Sequence, residues 1–343
     1  MKIDLIVGAR PNFVKAAAIL HAAVDFPKIK FNLVHTGQHH DIMSDQYFRD
    51  LGLPRPDPDR CIDLKDFETP IDRLSQMIAR LRDIYMDTCP DAVMVVGDTD
   101  STLAGALAAA KMNIPVIHVE AGLRTYDGIQ EDVNRILVDA IAKKHYTTSD
   151  FADNNLAAEG KKGIQVGNVM VDTLERFLPS ARRRFYRPGR YAVVTLHRAE
   201  NVDDSFRCNA IISAINNIGM LLPVVWPIHP RMKKYKCRIA KFINTVPPMG
   251  YLEFISTLAG AEFVITDSGG VQEETTALGV RCYTVRERTE RPETVWRGSN
   301  TLVPYPGLLY NAVQSAVQQF PPSPYKPGSA AQRIMEDLCE TSF

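Results

Sequence analysis

The chain has no excess of charge of either sign: Lys+Arg and Asp+Glu number 40 each among 343 residues. A balanced total gives no whole-chain footprint for a nucleic acid or an anionic membrane, so neither is expected as a partner. No apolar run approaches the roughly 20 residues that a membrane span needs. The six cysteines form no CxxC pair and no zinc-like spacing, and they read as scattered thiols of a reducing compartment. No His/Cys/Asp set is spaced for a metal, and His39-His40, being adjacent, cannot share a helical face. The amino terminus, MKIDLIVGARPNF, runs directly into a strand-like segment without an apolar leader or cleavage site. The expected location is cytoplasmic. Gly8-Ala9-Arg10 lacks the GxGxxG spacing of a nicotinamide site, and no GK[ST] phosphate loop occurs. No cofactor is expected.

What is present is alternation. Short β-branched runs at 3–7, 31–35, 92–96, 114–119 and 145–148 are separated by amphipathic stretches, including an Ala-rich one at 102–111 and another at 131–143. This is the pattern of βαβ units and a parallel sheet. A second set of strands is predicted at 191–196, 224–228, 263–266 and 282–285. Length and pattern predict an α/β protein of two parallel-sheet domains, 1–170 and 171–325. A last helix within 326–343 is expected to pack back on the first domain.

Polar clusters stand at the ends of these apolar runs. In a parallel sheet the carboxyl ends share one edge, and ligands bind there. Arg10 follows the first run, just before Pro11, with Lys15 about one helical turn on. A guanidinium there suits a phosphate at a helix amino end, although solvated surface charges are the ordinary alternative. Asp98 and Glu120 each follow a nearly continuous apolar run, where a carboxylate gains nothing from packing. Enclosed, such an acid moves toward the pKa range of a general acid or base. Glu131 and Arg135, at i and i+4, share a helix face, where an ordinary ion pair is the competing reading. Asp100 is expected to cap the helix after it.

In the second half, His197 and Arg198 follow a strand directly, and His229-Pro230-Arg231 repeats the arrangement after the next. A histidine moves protons near neutrality or binds phosphate; equally it can be satisfied near a core. Thr266-Asp267-Ser268-Gly269-Gly270 leads from strand to helix and presents backbone N–H groups at a positive helix end, which suits a diphosphate. Glu274, one turn in, is placed to accept from sugar hydroxyls. Arg286, Arg288 and Arg291, around Glu287 and Glu290, add cations after the last strand of this half.

Taken together, GARPNFVKAA, HVEAGLRT, EDVNRILVD, VGNVMVDT, TLHRAEN, TDSGGVQEE and TERPE resemble, in order and over nearly the whole chain, the non-hydrolysing UDP-N-acetylglucosamine 2-epimerases. The resemblance implies two Rossmann-like domains in a glycosyltransferase-B arrangement, a nucleotide sugar in an interdomain cleft, and a homodimer. It implies reversible inversion at C2 of the sugar by elimination and re-addition of UDP through a 2-acetamidoglucal. By the same resemblance Asp98, Glu120, Glu131, Arg135 and His197 form the catalytic set. Arg10, Lys15, Ser268, Gly269, Gly270, Glu274 and Arg291 hold the UDP part, with Phe254 near the uracil.

The chain departs from the family pattern at several positions. Asn12 stands where many members carry Glu or Gln, Gln130 replaces a proline, Ala140 a histidine, and Met249 sits where some members use Gln. Asp41 follows Gln38-His39-His40 where the allosteric bacterial branch has a second Gln, and LKDFETPID departs as well. An activating second nucleotide-sugar site is therefore not expected. The alternative substrate is UDP-2,3-diacetamido-2,3-dideoxy-glucuronate; a hydrolysing 2-epimerase and a glycosyltransferase of the same architecture are the remaining readings.

Overall fold

The computed structural model describes residues 1–37, 42–64, 69–126, 128–315, 320–325, 329–341 and 343. The chain divides into two compact units, Met1–Thr173 with Tyr325–Phe343, and Leu174–Pro324.

The first unit is built on six parallel strands: β1 (Lys2–Val7), β2 (Lys30–His35), β3 (Ala92–Val96), β4 (Val116–Ala121), β5 (Lys144–Thr147) and β6 (Ile164–Gln165). Their spatial order is β2-β1-β3-β4-β5-β6. All five residues of β3 are buried, as expected of a parallel strand covered on both faces. The helix Asp100–Lys111 follows it, and its buried Ala104, Ala106, Ala108 and Ala109 allow close approach to Ile6 and Val95. Gly105 is needed for that contact, since a Cβ there would stand 3.0 Å from Ile6. Beyond β2 a further strand is reduced to one bridge, His35 to Cys61.

Thr99, not Asp100, caps the helix Asp100–Lys111, accepting from Thr102 N at 3.4 Å. Thr99 is the last residue with extended dihedrals, so its hydroxyl faces the free N–H groups. Asp100 is already helical and instead pairs with Arg73 at 2.9 Å.

The second unit carries β7 (Ala192–Thr195), β8 (Val224–Pro227), β9 (Asn244–Val246), β10 (Phe263–Thr266), β11 (Arg281–Thr284) and β12 (Asn300–Leu302). The order is β12-β11-β10-β7-β8-β9, all parallel. Read from the other edge it is 3-2-1-4-5-6, the Rossmann order. Alternation along β7 sends Ala192 and Val194 toward a core with Trp226, Ile211 and Ile215, and Val193 toward a second with Val225, Leu258 and Val264. The sequence predicts four of these strands. β9 and β12, three residues each at or next to the sheet's margins, are too short to show a period.

The last helix, Ala330–Cys339, belongs to the first unit and packs on the helix Arg10–Ala23. Asp172 accepts from Ala331 N at 2.7 Å and from the Ser329 hydroxyl at 3.2 Å. Lys144 pairs with Asp337, which also accepts from the Tyr146 hydroxyl at 2.6 Å.

Candidate active-site residues

In the first unit the direction in which strands are added reverses between β1 and β3, and the crevice past their carboxyl ends is where α/β sheets bind ligands. Four of the residues singled out from the sequence gather at this edge. The Lys15 ammonium, on the helix Arg10–Ala23, forms a buried ion pair with Glu120. Arg135, fully buried on the helix Gln130–Ile141, pairs with Asp98 and lies 3.8 Å from Glu120. Asp98 keeps some exposure, 21% of its side chain, whereas Glu120 keeps 1%. The less enclosed carboxylate is thus the more accessible to a ligand.

Glu120 owes its place to the backbone. Its φ is +70°, in the left-handed region that a side chain seldom adopts, and the pairing of β4 with β5 shifts register between Val119 and Ala121. This bulge turns a residue of an apolar strand toward Lys15 and Arg135. Non-glycine residues held in this region concentrate at functional sites. Gly97, with φ +75°, makes room beside it, since a Cβ there would stand 2.7 Å from Lys15 Nζ.

A buried network fixes the two turns that carry the carboxylates. His118, on β4, donates through Nε2 to Gly97 O at 2.8 Å, and its Nδ1 meets Asp139 at 2.6 Å. The other Asp139 oxygen accepts from Gly122 N at 3.0 Å and faces Arg124 at 2.7 Å. Burial alone would raise the Asp139 pKa; His118 and Arg124 outweigh it and hold the group well below the usual carboxylate range. Asn12, buried, accepts from Gly8 N and Ala9 N at 3.2 and 2.9 Å and donates to Val96 O at 2.9 Å, tying the ends of β1 and β3 together.

Arg10 and Glu131 sit in the first turns of their helices, both half-buried. The acidic neighbours of Arg135 are Asp98 and Glu120 at the strand ends, in place of the i,i+4 partner that spacing alone would offer.

The second unit repeats the logic at the reversal between β7 and β10. Asp267, fully buried past β10, accepts from His197 N and Arg198 N, both at 3.0 Å, and from Asn201 Nδ2 at 3.2 Å. It also faces His197 Nδ1 at 3.0 Å. Burial by itself would raise Asp267; the His197 charge and these N–H bonds outweigh it and pull the group down to about 2. The His197 side chain remains 42% exposed. His229 lies beside it, ring centroids 5.7 Å apart.

Ser268 precedes the helix Gly269–Leu278, whose first residues, Gly269 and Gly270, are half-buried. Arg291 is buried against Glu273 at 2.9 Å and lies close enough to Gly269 that a Cβ there would be 3.5 Å from Nη1. Glu274 is buried in the same helix, and burial, with Glu273 adding to it against a Tyr251 hydrogen bond, pushes its pKa up to about 8. Arg286 is buried between Glu200 and Glu290, at 3.1 and 3.0 Å. Glu287 and Arg288 are exposed. Phe254 is half-buried on the helix Tyr251–Ala259, against the core of Val225, Leu258 and Val271.

Residue-by-residue reasoning from the sequence assigns no role to His118, Asp139 or Asp267. Each stands inside or beside a motif, but as a partner of the backbone, and only the register of the strands shows what it holds. Gln38 and Asp41, with residues 65–68, on which the absence of a second site was expected, lie outside the described residues.

Two Rossmann-type units, each with charged machinery at its strand reversal, define a glycosyltransferase-B-like α/β enzyme. The family model described as UDP-N-acetylglucosamine 2-epimerase matches residues 22–339. A UDP-2,3-diacetamido-2,3-dideoxy-D-glucuronate 2-epimerase of Pseudomonas aeruginosa is 39% identical, over 88% of each chain. A UDP-N-acetylglucosamine 2-epimerase of Methanocaldococcus jannaschii is 38% identical, again over 88% of each. The crystal structure of the Methanocaldococcus jannaschii UDP-GlcNAc 2-epimerase in complex with UDP-GlcNAc and UDP superposes with a TM-score of 0.92 at 35% identity, covering 99% of this chain and 100% of that one. The chain belongs to the UDP-N-acetylglucosamine 2-epimerase family, a family of isomerases.

Proposed function

We propose that this chain is a non-hydrolysing epimerase that inverts C2 of a UDP-N-acetylhexosamine, interconverting UDP-GlcNAc and UDP-ManNAc. The observation that carries the reading is Glu120, held in a left-handed bulge and enclosed by Lys15 and Arg135, which also pairs with Asp98. A carbon acid as weak as C2–H needs a fixed carboxylate, and departing UDP needs cations and N–H donors.

In this reading one carboxylate of Asp98, Glu120 and Glu131 takes the C2 proton. The electron pair left behind forms the C1=C2 bond, and the C1–O bond breaks toward UDP. The 2-acetamidoglucal is then reprotonated at C2 on its other face, and the UDP oxygen closes on C1. Redox state is unchanged, so no nicotinamide is required. Lys15 and Arg135 set the charge of the acid/base group, and Arg10 and Lys15 hold the UDP part. Ser268, Gly269, Gly270 and Arg291 bind the diphosphate, with His197 oriented by Asp267. Glu274 meets the ribose and Phe254 the uracil. The enzyme acts as a cytoplasmic homodimer without an activating second ligand.

A proton NMR time course in deuterated buffer tests this. Deuterium should enter at C2 as UDP-GlcNAc and UDP-ManNAc interconvert, with no acceptor added. Release of free ManNAc would instead identify a hydrolysing enzyme, and absence of exchange would point to a transferase. The near-equal identity to the Pseudomonas aeruginosa protein favours a second substrate, UDP-2,3-diacetamido-2,3-dideoxy-glucuronate. Parallel assays with both sugars separate the two.

A further inference from the structure

The neutral total conceals a long stretch of one sign. Residues 205–252 contain no Asp or Glu, in a chain that has 40 acids among 343 residues. The cations of this stretch concentrate in one short turn. The 3-10 helix Pro230–Arg238 buries Met232 and Tyr235 and turns Lys233, Lys234, Lys236 and Arg238 to solvent, and exposed Lys241 follows. Among the described residues none of these five pairs with an acid. They fall within nine residues, and Lys234 and Arg238 both lie over the Tyr235 ring, at 5.0 and 5.8 Å from its centroid.

Large apolar side chains stand beside them. Asn216, on the helix Ser205–Gly219, donates to Arg238 O at 3.1 Å and accepts from Ala240 N at 3.0 Å, pinning the basic turn to that helix. At the helix end Met220 is 75% exposed and Leu221 61%. Phe242, 58% exposed, lies against the same end: a Cβ on Gly219 would be 2.9 Å from its ring. Three bulky apolar groups in water beside the segment of Arg238 and Lys241, with Lys233, Lys234 and Lys236 on the turn that leads into it, form an amphipathic tip.

We propose that this tip, within the second unit, binds the surface of an anionic lipid bilayer. Met220, Leu221 and Phe242 would enter the headgroup boundary while the lysines and Arg238 contact acidic headgroups, their alkyl stems lying along the interface. No helix among the described residues is long and apolar enough to cross a membrane, so the association is peripheral and reversible. The alternatives fit the tip less well. A second copy would set cations against cations. A nucleic acid or acidic peptide would match the charge and leave Met220 and Leu221 in water. The whole-chain balance, which argues against a membrane partner, averages this segment away.

Flotation of the full-length protein with vesicles tests the proposal, using phosphatidylcholine mixed with phosphatidylglycerol against phosphatidylcholine alone. The protein should float with the anionic vesicles only, and salt at about 0.5 M should release it. Each cation removed should weaken partition about fivefold, so Lys233→Gln/Lys234→Gln/Lys236→Gln should lose about a hundredfold. Met220→Ser/Leu221→Ser should bind more weakly than wild type. All these positions are exposed, and the melting temperature should be unchanged. Failure to float with anionic vesicles overturns the proposal. So does equal flotation of the wild type and the triple variant, or equal affinity for neutral vesicles. Competition by single-stranded RNA, with the Met220/Leu221 variant binding as wild type does, would assign the tip to nucleic acid. None of these outcomes depends on the reaction catalysed.

Discussion

His118 donates to the carbonyl oxygen of Gly97 across 2.8 Å, from one strand of the first sheet to the turn that ends its neighbour. That turn carries Asp98, and Asp139, the other partner of His118, holds Gly122 beyond the bulge that carries Glu120. One buried pair therefore sets the spacing of two carboxylates. His118 is a positioning residue: His118→Asn should lower kcat about a hundredfold, the cost of displacing reacting groups by an ångström. UDP affinity by calorimetry should be largely kept, since Ser268, Gly269, Gly270 and Arg291 lie in the other unit. A matching loss of UDP binding would mean general unfolding.

Asp98 and Glu120 differ in enclosure, and the difference separates their variants. Asp98→Asn should abolish turnover with a melting temperature near wild type, because its side chain is partly solvated. Glu120→Gln should abolish turnover and also leave buried Lys15 without its anion, a loss of about 3–5 kcal/mol for a broken buried pair. Chemical denaturation of both, with kcat from the coupled assay, checks the contrast. Equal destabilisation would make both carboxylates structural.

Gly97→Ala isolates the space around Lys15. The left-handed φ costs an alanine about 1–2 kcal/mol, and the new methyl would contact the ammonium that pairs with Glu120. Activity should fall further than stability does. A variant with normal kcat would show that Lys15 tolerates displacement.

Glu274 makes the second unit sensitive to pH. Its folded pKa of about 8 lies above the ordinary 4.5, so the folded unit keeps a proton that the unfolded chain has released. The associated stability is complete below 4.5, declines as pH rises to about 8 and is flat beyond. Glu274→Gln, uncharged throughout, should therefore gain melting temperature over unliganded wild type as pH increases through that window. A difference independent of pH would refute the assignment.

The parallel sheets are legible in the sequence, as is the position of Asp98 past a strand of the first and of His197 and Ser268 past strands of the second, because apolar runs and the residues after them encode strand direction. The bulge at Glu120 is not. The apolar run reads as ending at Val119, whereas the strand continues through Glu120 to Ala121, and a left-handed φ at a glutamate leaves no trace in composition. Thr99 rather than Asp100 as the cap turns on where extended dihedrals end, a matter of one residue. Asp139 lies on a helix 21 residues from His118, and only the pairing of β4 with β5 brings the two together. The acid-free stretch 205–252 is itself legible in the sequence, but which of its cations and apolar side chains face solvent is not.

The first unit is closed by the two ends of the chain, with the second unit inserted between them. The helix Arg10–Ala23, which supplies Arg10 and Lys15, waits for Ala330–Cys339 to cover it. During synthesis that surface stays unsheltered until residues 330–339 have emerged from the ribosome. The residues of the second unit precede them, so the inserted half has the opportunity to form before the acid/base half is complete.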